Sequence, residues 1–401
     1  MTGIGLLGFG TVGQGIYRVL EERKEILTAS PEGACQVKRI LVQDIRKKRD
    51  TEVPEGLLTM NPDDILADES IRIVVEVTGD REFSYDFFLK AFEKGKHVVT
   101  ANKAVVSRYY EELSRKAEEH HVYFLYEASV AAGVPVIKAL KDQIRLSSVN
   151  QVSGILNGTC NFILTKMSEE NLGYEEALQE AQHLGYAESD PTADVAGTDT
   201  LRKLRILSTL AFGGSVLEKD ILCEGISSIT ALDVRLLKSL GRKVKLLGEA
   251  KVEHGDFTAW VYPRAIPDKS SFYRVEGVDN SIQLNSSNGG NLGFQGPGAG
   301  MRPTASGVLT DVLDCILHTQ RKESPLGEKR LQNRNELLEG TFYVRFEGDG
   351  EAESFPKEYV AKMLHDQDGV TCFLTEKMNL KKLRSLVEMQ GDPSFAIIAM
   401  D

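Results

Sequence analysis

The chain has 401 residues, 41% hydrophobic and 27% charged, with 48 Lys and Arg against 59 Asp and Glu and a formal net charge of −11. That balance excludes a disordered chain and leaves core material for two or three domains, at roughly 150 residues each. Its acidity argues against nucleic-acid or anionic-membrane partners, while five scattered Cys without a CxxC pair argue against a disulfide framework or structural zinc and fit a reducing compartment. No signal-peptide pattern and no bilayer-length apolar run is visible, so a cytoplasmic location is expected.

The first third alternates apolar strand runs (Gly3–Gly8, Arg39–Gln43, Ile73–Val77, His97–Thr100, Val122–Tyr126) with helical patterns (Val12–Leu27, Phe83–Lys94, Tyr109–His121). Such alternation predicts a parallel sheet covered on both faces. A helix over Pro135–Arg145 leads out of it. The middle third predicts strands at Val149–Leu156, Phe257–Val261, Tyr273–Glu276 and Ile282–Asn285, with helices at Ile163–Met167, Tyr174–Leu184 and Thr198–Phe212. A helix is expected over Thr304–His318 and a charged linker over Gln320–Asn335. Beyond it the reading is strand Thr341–Phe346, helix Lys357–Gln367, strand Val370–Thr375, helix Leu380–Met389 and strand Phe395–Ala399.

Gly8-Phe9-Gly10-Thr11-Val12-Gly13 is a GxGxxG element directly after the first strand and at the start of the first helix. Gly8 suits the tight turn, Gly10 lets backbone approach a pyrophosphate, and Gly13 lets helix and strand pack closely, so a nicotinamide-dinucleotide site is expected. At the tip of the second strand, Asp44 sits beside Arg46, Lys47, Lys48 and Arg49. An acidic residue there suits the ribose 2′-hydroxyl of NAD, whereas Arg46 and its neighbours suit the 2′-phosphate of NADP, and the cluster tilts the reading towards NADP. A solvated charged loop is the plain alternative.

Further motifs follow in order: Val98-Val99-Thr100-Ala101-Asn102-Lys103, Glu127-Ala128-Ser129-Val130, Gly154-Ile155-Leu156-Asn157-Gly158-Thr159-Cys160-Asn161, Leu184-Gly185-Tyr186-Ala187-Glu188-Ser189-Asp190-Pro191-Thr192-Ala193-Asp194, then Gly197, Asp199 and Lys203, and Gly296-Pro297-Gly298-Ala299-Gly300. Over about residues 1–320 this series resembles homoserine dehydrogenase. The resemblance implies NAD(P)-dependent interconversion of L-homoserine and L-aspartate 4-semialdehyde, on the route to threonine, isoleucine and methionine. It implies a Rossmann-type doubly wound parallel sheet in residues 1–130, completed by about 300–320. An α+β substrate-binding and dimerisation domain at 131–299 and a small ACT-like α+β module at 340–401 complete the expectation. A homodimer or homotetramer is expected.

The same resemblance assigns roles. Phe9, Gly10, Thr11 and Val12 fall in the cofactor turn with Gly8 and Gly13. Thr78 and Gly298 lie beside the cofactor, and Lys103 near both nicotinamide and substrate. Glu188 matches the carboxylate for the substrate ammonium group; Asp194, Tyr186, Gly158 and Thr159 line the substrate. Asp199 and Lys203 match the catalytic pair. The carbonyls of Glu127, Val130, Ala132 and Val134 match a monovalent-cation site for Na or K. Gln43 stands where many members carry Arg, Ala132 where Gly is usual, Cys160 where Thr is common, and Ala196 where Glu is common.

These residue types suit alcohol oxidation, in which the cofactor carries the hydride and the protein must handle a proton. A lysine can do so if its surroundings bring its pKa towards working pH. Asp199 and Lys203, four apart, share one helix face, and in isolation would read as a surface ion pair. The carboxylates of Glu188, Asp190 and Asp194 could instead hold a divalent metal, though no His accompanies them. A competing enzyme reading is aspartate-semialdehyde dehydrogenase, which needs a nucleophilic Cys; Cys160 is the nearest candidate. A non-catalytic NAD(P)-binding sensor is the remaining alternative. The seven His read as structural or surface groups. All matched positions precede Arg334, so truncation there is expected to leave the chemistry intact.

Overall fold

The computed structural model describes residues 1–29, 34–318, 329–348, 355–389 and 394–401. In chain order the principal strands are β1 (Thr2–Leu7), β2 (Cys35–Leu41), β3 (Leu58–Thr59), β4 (Ile71–Glu76), β5 (His97–Thr100), β6 (Phe124–Leu125), β7 (Val149–Ile155), β8 (Arg242–Glu253), β9 (Asp256–Pro267), β10 (Asp279–Ser286), β11 (Glu339–Glu347), β12 (Val360–Gln367), β13 (Val370–Thr375) and β14 (Ser394–Met400). The longer helices are α1 (Thr11–Glu22), α2 (Arg81–Glu93), α3 (Lys103–Glu119), α4 (Val136–Gln143), α5 (Gly158–Glu170), α6 (Tyr174–His183), α7 (Thr198–Phe212), α8 (Ala231–Ser239), α9 (Met301–Ile316) and α10 (Leu380–Glu388). Packing divides the chain into two compact units: Met1–Val149 with Arg205–Glu218 and Ser286–Arg330, and Asn150–Leu204 with Lys219–Asn285 and Leu331–Asp401.

The first unit is a parallel sheet in the order β3-β2-β1-β4-β5-β6. Chain reversal between β1 and β4 makes the carboxyl end of β1 the switch point where such sheets bind ligands. Its strands are nearly continuous runs of buried Ile, Val and Leu because helices cover both faces. Ile4, Leu6, Ile73 and Val75 pack with Ile16 and Leu20 of α1 and with Val308 and Val312 of α9. Full burial of each such side chain contributes about 1.5–3 kcal/mol.

The second unit is a mixed sheet in the order β10-β7-β8-β9-β14-β11-β13-β12. β8 and β9 form a long antiparallel hairpin turned by His254 (φ 52°) and Gly255 (φ 92°). β14 runs parallel to β9 and antiparallel to β11. Its apolar core joins Trp260 and Tyr262 of β9 to Phe342, Val344 and Phe346 of β11, Phe373, Leu383 and Ile397. Asp233 of α8 and Arg345 of β11 form a buried ion pair at 2.9 Å, and the Tyr343 hydroxyl donates to Asp233 at 2.6 Å.

Several elements depart from expectation. Lys357–Gln367, expected as a helix, is a 3₁₀ turn (Lys357–Tyr359) followed by strand β12. Asp368 (φ 55°) and Gly369 (φ 72°) make the two-residue turn that pairs Gln367 with Val370, and a helix cannot run into that turn. Among the described residues the C-terminal segment therefore carries four long strands and the short strand Met378–Asn379 instead of the expected three, and those between β11 and β12 contain no helix of two turns. Tyr273–Glu276, expected as a strand, is replaced by a 3₁₀ turn at Ser271–Arg274. The Val12–Leu27 helix breaks at Arg23. Residues 320–328 of the expected linker, and residues 349–354, lie outside the described residues. Truncation at Arg334, expected to leave the chemistry intact, would strip Phe342, Val344 and Ile397 from Trp260 and Tyr262 and so expose the core of the second unit. Among the described residues no helix is long and apolar enough to cross a membrane.

Candidate active site

In the first unit, Gly8 adopts φ 96°, which an L side chain rarely tolerates, and a Cβ at Gly13 would lie 2.2 Å from the Gly8 carbonyl oxygen. Phe9 is buried, and a Cβ at Gly10 would meet nothing within 4 Å. Helix α1 begins at Thr11 without a side-chain cap and with no acidic residue in its first turn, so its amides are open to an anion. These features fit a dinucleotide pyrophosphate. Gln43 through Lys48 are exposed. The Asp44 carboxylate accepts the Arg46 N–H at 2.8 Å, and the Arg49 guanidinium folds onto the carbonyls of Asp44 and Lys47 at 2.8 and 2.7 Å. The loop is thus stapled by Arg49, while Arg46 projects with its side chain 93% exposed. Thr51 ties the loop's far end to α1, its amide donating to Gln14 and its hydroxyl accepting from Arg18.

Thr78 lies just past β4, and its amide and hydroxyl donate to Glu76 at 2.7 and 2.6 Å. Lys103 is the first residue of α3, whose start is capped by Asn102. The helix expected over Tyr109–His121 thus begins six residues earlier. Gly298 directly follows the strand Gly290–Pro297, ahead of α9. His97 accepts the Tyr123 N–H at 3.0 Å and is pushed down to about 4 by burial, which makes it a neutral core histidine.

The loop Glu127–Val134 is almost wholly buried. The Glu127 carboxylate accepts the N–H groups of Ile137 and Lys138 at 2.8 and 2.7 Å and so caps α4; burial still pushes it up. Its own amide donates to Asp311, whose carboxyl is pushed up to about 8 by burial and by Glu127. Ala132 sits at φ 53°, ψ −105°, a conformation suited to glycine. Its carbonyl would lie 2.2 Å from a Cβ at Gly307, so α9 needs glycine there. The Val134 carbonyl already accepts the Val136 amide at 2.8 Å, and the Glu127 carbonyl the Val130 amide at 3.5 Å.

In the second unit, Asp199 and Lys203 are 2.8 Å apart on α7, with only 2% and 6% of their surfaces exposed. They are not a surface pair. The Lys203 ammonium also donates to the Leu156 carbonyl at 2.6 Å, and Asn280 donates to that same oxygen at 3.0 Å. Asn157 binds Asp199 at 2.9 Å and Asp194 at 2.7 Å, while its side-chain oxygen accepts the Cys160 amide. Asn157 is therefore the N-cap of α5, which starts at Gly158 and Thr159. These residues begin a helix instead of merely ending a strand. A helix start favours a carboxylate. The Thr159 hydroxyl donates to the Tyr186 carbonyl at 2.6 Å.

Glu188 is exposed, and its carbonyl accepts from Gln182. Asp190 is engaged in its own turn by the amide and hydroxyl of Thr192. Cys160 is fully buried, donates to the Asp194 carbonyl, and has its thiol pushed well up by desolvation; a group that resists ionisation makes a poor nucleophile. Sequence reasoning missed Asn280 and Glu76, and the buried Lys245, whose ammonium is pushed down to about 8 by desolvation and donates to Asn161. No motif surrounds any of them, and Lys245 sits in a strand rich in charged residues.

The family model for the homoserine dehydrogenase NAD binding domain matches residues 8–127, and that for homoserine dehydrogenase matches 135–313. The homoserine dehydrogenase of Bacillus subtilis (strain 168) is 36% identical over 360 residues, 88% of this chain and 83% of that one. The crystal structure of a homoserine dehydrogenase from Thiobacillus denitrificans superposes with a TM-score of 0.89 at 32% identity, covering 100% of this chain and 98% of the other. A hyperthermophilic archaeal homoserine dehydrogenase in complex with NADPH superposes with a TM-score of 0.66 at 27% identity, covering 80% of this chain and 99% of the other. With the dinucleotide turn, the buried Asp199–Lys203 pair and these matches, the chain belongs to the homoserine dehydrogenase family and is an NAD(P)-dependent oxidoreductase.

Proposed function

We propose that the chain interconverts L-homoserine and L-aspartate 4-semialdehyde, with Lys203 moving the hydroxyl proton. The carrying observation is the buried cluster of Lys203, Asp199, Asn157 and the Leu156 carbonyl. NAD(P), held at the Gly8–Gly13 turn, would supply the hydride acceptor for the alcohol carbon. The Asp199 carboxylate and the Leu156 carbonyl hold the Lys203 ammonium group in place. Asp199, held by Asn157, orients the lysine. Gly158 and Thr159 offer helix-start amides to the substrate carboxylate, and Glu188 and Asp194 take its ammonium group. Homoserine-dependent absorbance at 340 nm tests the assignment, and no turnover with either cofactor at any salt condition would overturn it.

The finer readings have separate supports. The exposed Arg46 beside Lys47 and Lys48 supports NADP over NAD. The archaeal relative's complex with NADPH agrees with that reading. The carbonyls of Glu127, Val130, Ala132 and Val134 are proposed to hold Na or K, supported by the glycine-like turn at Ala132 that reorients its carbonyl. A homodimer or homotetramer rests on the family resemblance, and light scattering tests it.

A further inference from the structure

We propose that Glu76 is a positioning residue that links the cofactor-side Thr78 to Lys103 through a closed ring of hydrogen bonds; this rests on the roles assigned above to those two residues. Glu76 ends β4 with none of its surface exposed. One carboxylate oxygen accepts the amide and hydroxyl of Thr78 at 2.7 and 2.6 Å, and the other accepts the Thr100 hydroxyl, at the end of β5, at 2.6 Å. Thr100 in turn accepts the Asn102 amide at 2.9 Å. The Asn102 side-chain amide donates to the Asp80 carbonyl at 3.3 Å, and the Asp80 amide closes the ring on the Thr78 hydroxyl at 3.2 Å. Asp80 caps α2, and Asn102 caps α3, where Lys103 is the first residue. One buried carboxylate thus sets the starts of both helices at the carboxyl edge of the sheet, where ligands bind in such folds. All three groups bonded to Glu76 are donors, so only an acceptor on both oxygens satisfies them. A carboxamide would supply one oxygen and leave the Thr100 hydroxyl facing an NH₂ group.

The test uses the full chain. Glu76→Gln is expected to raise the NADPH dissociation constant, read by fluorescence, about tenfold and to lower kcat with homoserine by a similar factor, the scale of one lost charge-assisted bond. Thr100→Val is expected to weaken NADPH as well, and Thr100→Ser is expected to restore binding. In the Glu76→Gln background Thr100→Val should add nothing further. NADPH affinity within twofold of wild type in Thr100→Val, or independent multiplication of the two effects, overturns the ring. If Glu76→Gln fails to fold, the Thr100→Val and Thr100→Ser pair decides alone. The same non-additivity is expected in the urea midpoint of the protein without cofactor. A wild type inactive on homoserine would strike the proposed reaction, and the binding and urea cycles would still judge the ring.

Discussion

Asp199 grips the Lys203 ammonium at 2.8 Å from one helical turn away, inside a cluster closed to solvent. Lys203→Met keeps the apolar stem but cannot carry a proton. We expect kcat to fall by about 10²-fold or more, with NADPH affinity unchanged. Asp199→Asn should slow turnover and also destabilise the fold, because breaking a buried pair costs about 3–5 kcal/mol. Steady-state kinetics with a thermal melt checks both. A folded Lys203→Met enzyme with near-normal kcat would move the proton role to Lys103.

Glu188 is exposed and lacks the tight packing of Asp199, so its replacement should be structurally mild. Glu188→Gln is expected to raise the homoserine KM with kcat changed less, as for loss of binding felt equally in ground and transition states. A fall in kcat alone would contradict the ammonium role.

Arg46→Ala with Lys47→Ala should raise the KM for NADP more than for NAD, since Arg46 is exposed and held only by an exposed ion pair with Asp44 at 3.6 Å, while Arg49 is spent on loop carbonyls. Equal effects on both cofactors would favour Asp44 on the ribose.

Ala132 occupies a glycine conformation at φ 53°. Such strain costs on the order of 1–3 kcal/mol, and the extra unfolded-state freedom of glycine offsets about 0.4–1 of it. Ala132→Gly should therefore stabilise the protein by about 1 kcal/mol, seen as a higher urea midpoint at constant slope.

His97, neutral in the fold and held down to about 4, takes up a proton when unfolded near 6.5. Its contribution is intact above about 6.5, weakens as pH falls towards about 4, and changes no further below that. His97→Phe should flatten the decline in urea midpoint between pH 7 and pH 4.5.

Much of the first unit was readable because its signals are local. GxGxxG fixed the turn at Gly8, and unbroken Val and Ile runs marked β4 and β5 as buried parallel strands. The catalytic cluster was readable as residues but not as geometry. Nothing local shows that Asn157 caps α5 while its amide reaches Asp194 and Asp199. β8 was overlooked because Lys243, Lys245, Glu249 and Lys251 make Arg242–Glu253 look solvated, although Lys245 and Glu249 are buried. Val360, Met363 and Leu364 fall at helical spacing, which points to a helix where β12 runs. Asp368-Gly369 was the hairpin signal to weigh against that spacing.

β14 lies between β9 and β11, yet it is synthesised long after both. Until it arrives, β9 lacks its partner at Arg264 and Ala265, and β11 has no neighbour on that side. The second unit should thus remain open during translation and close in a late, non-local step. Nascent chains stalled ahead of β14 should be protease-sensitive and attractive to chaperones, and full-length chains should become resistant as that final strand slots into place.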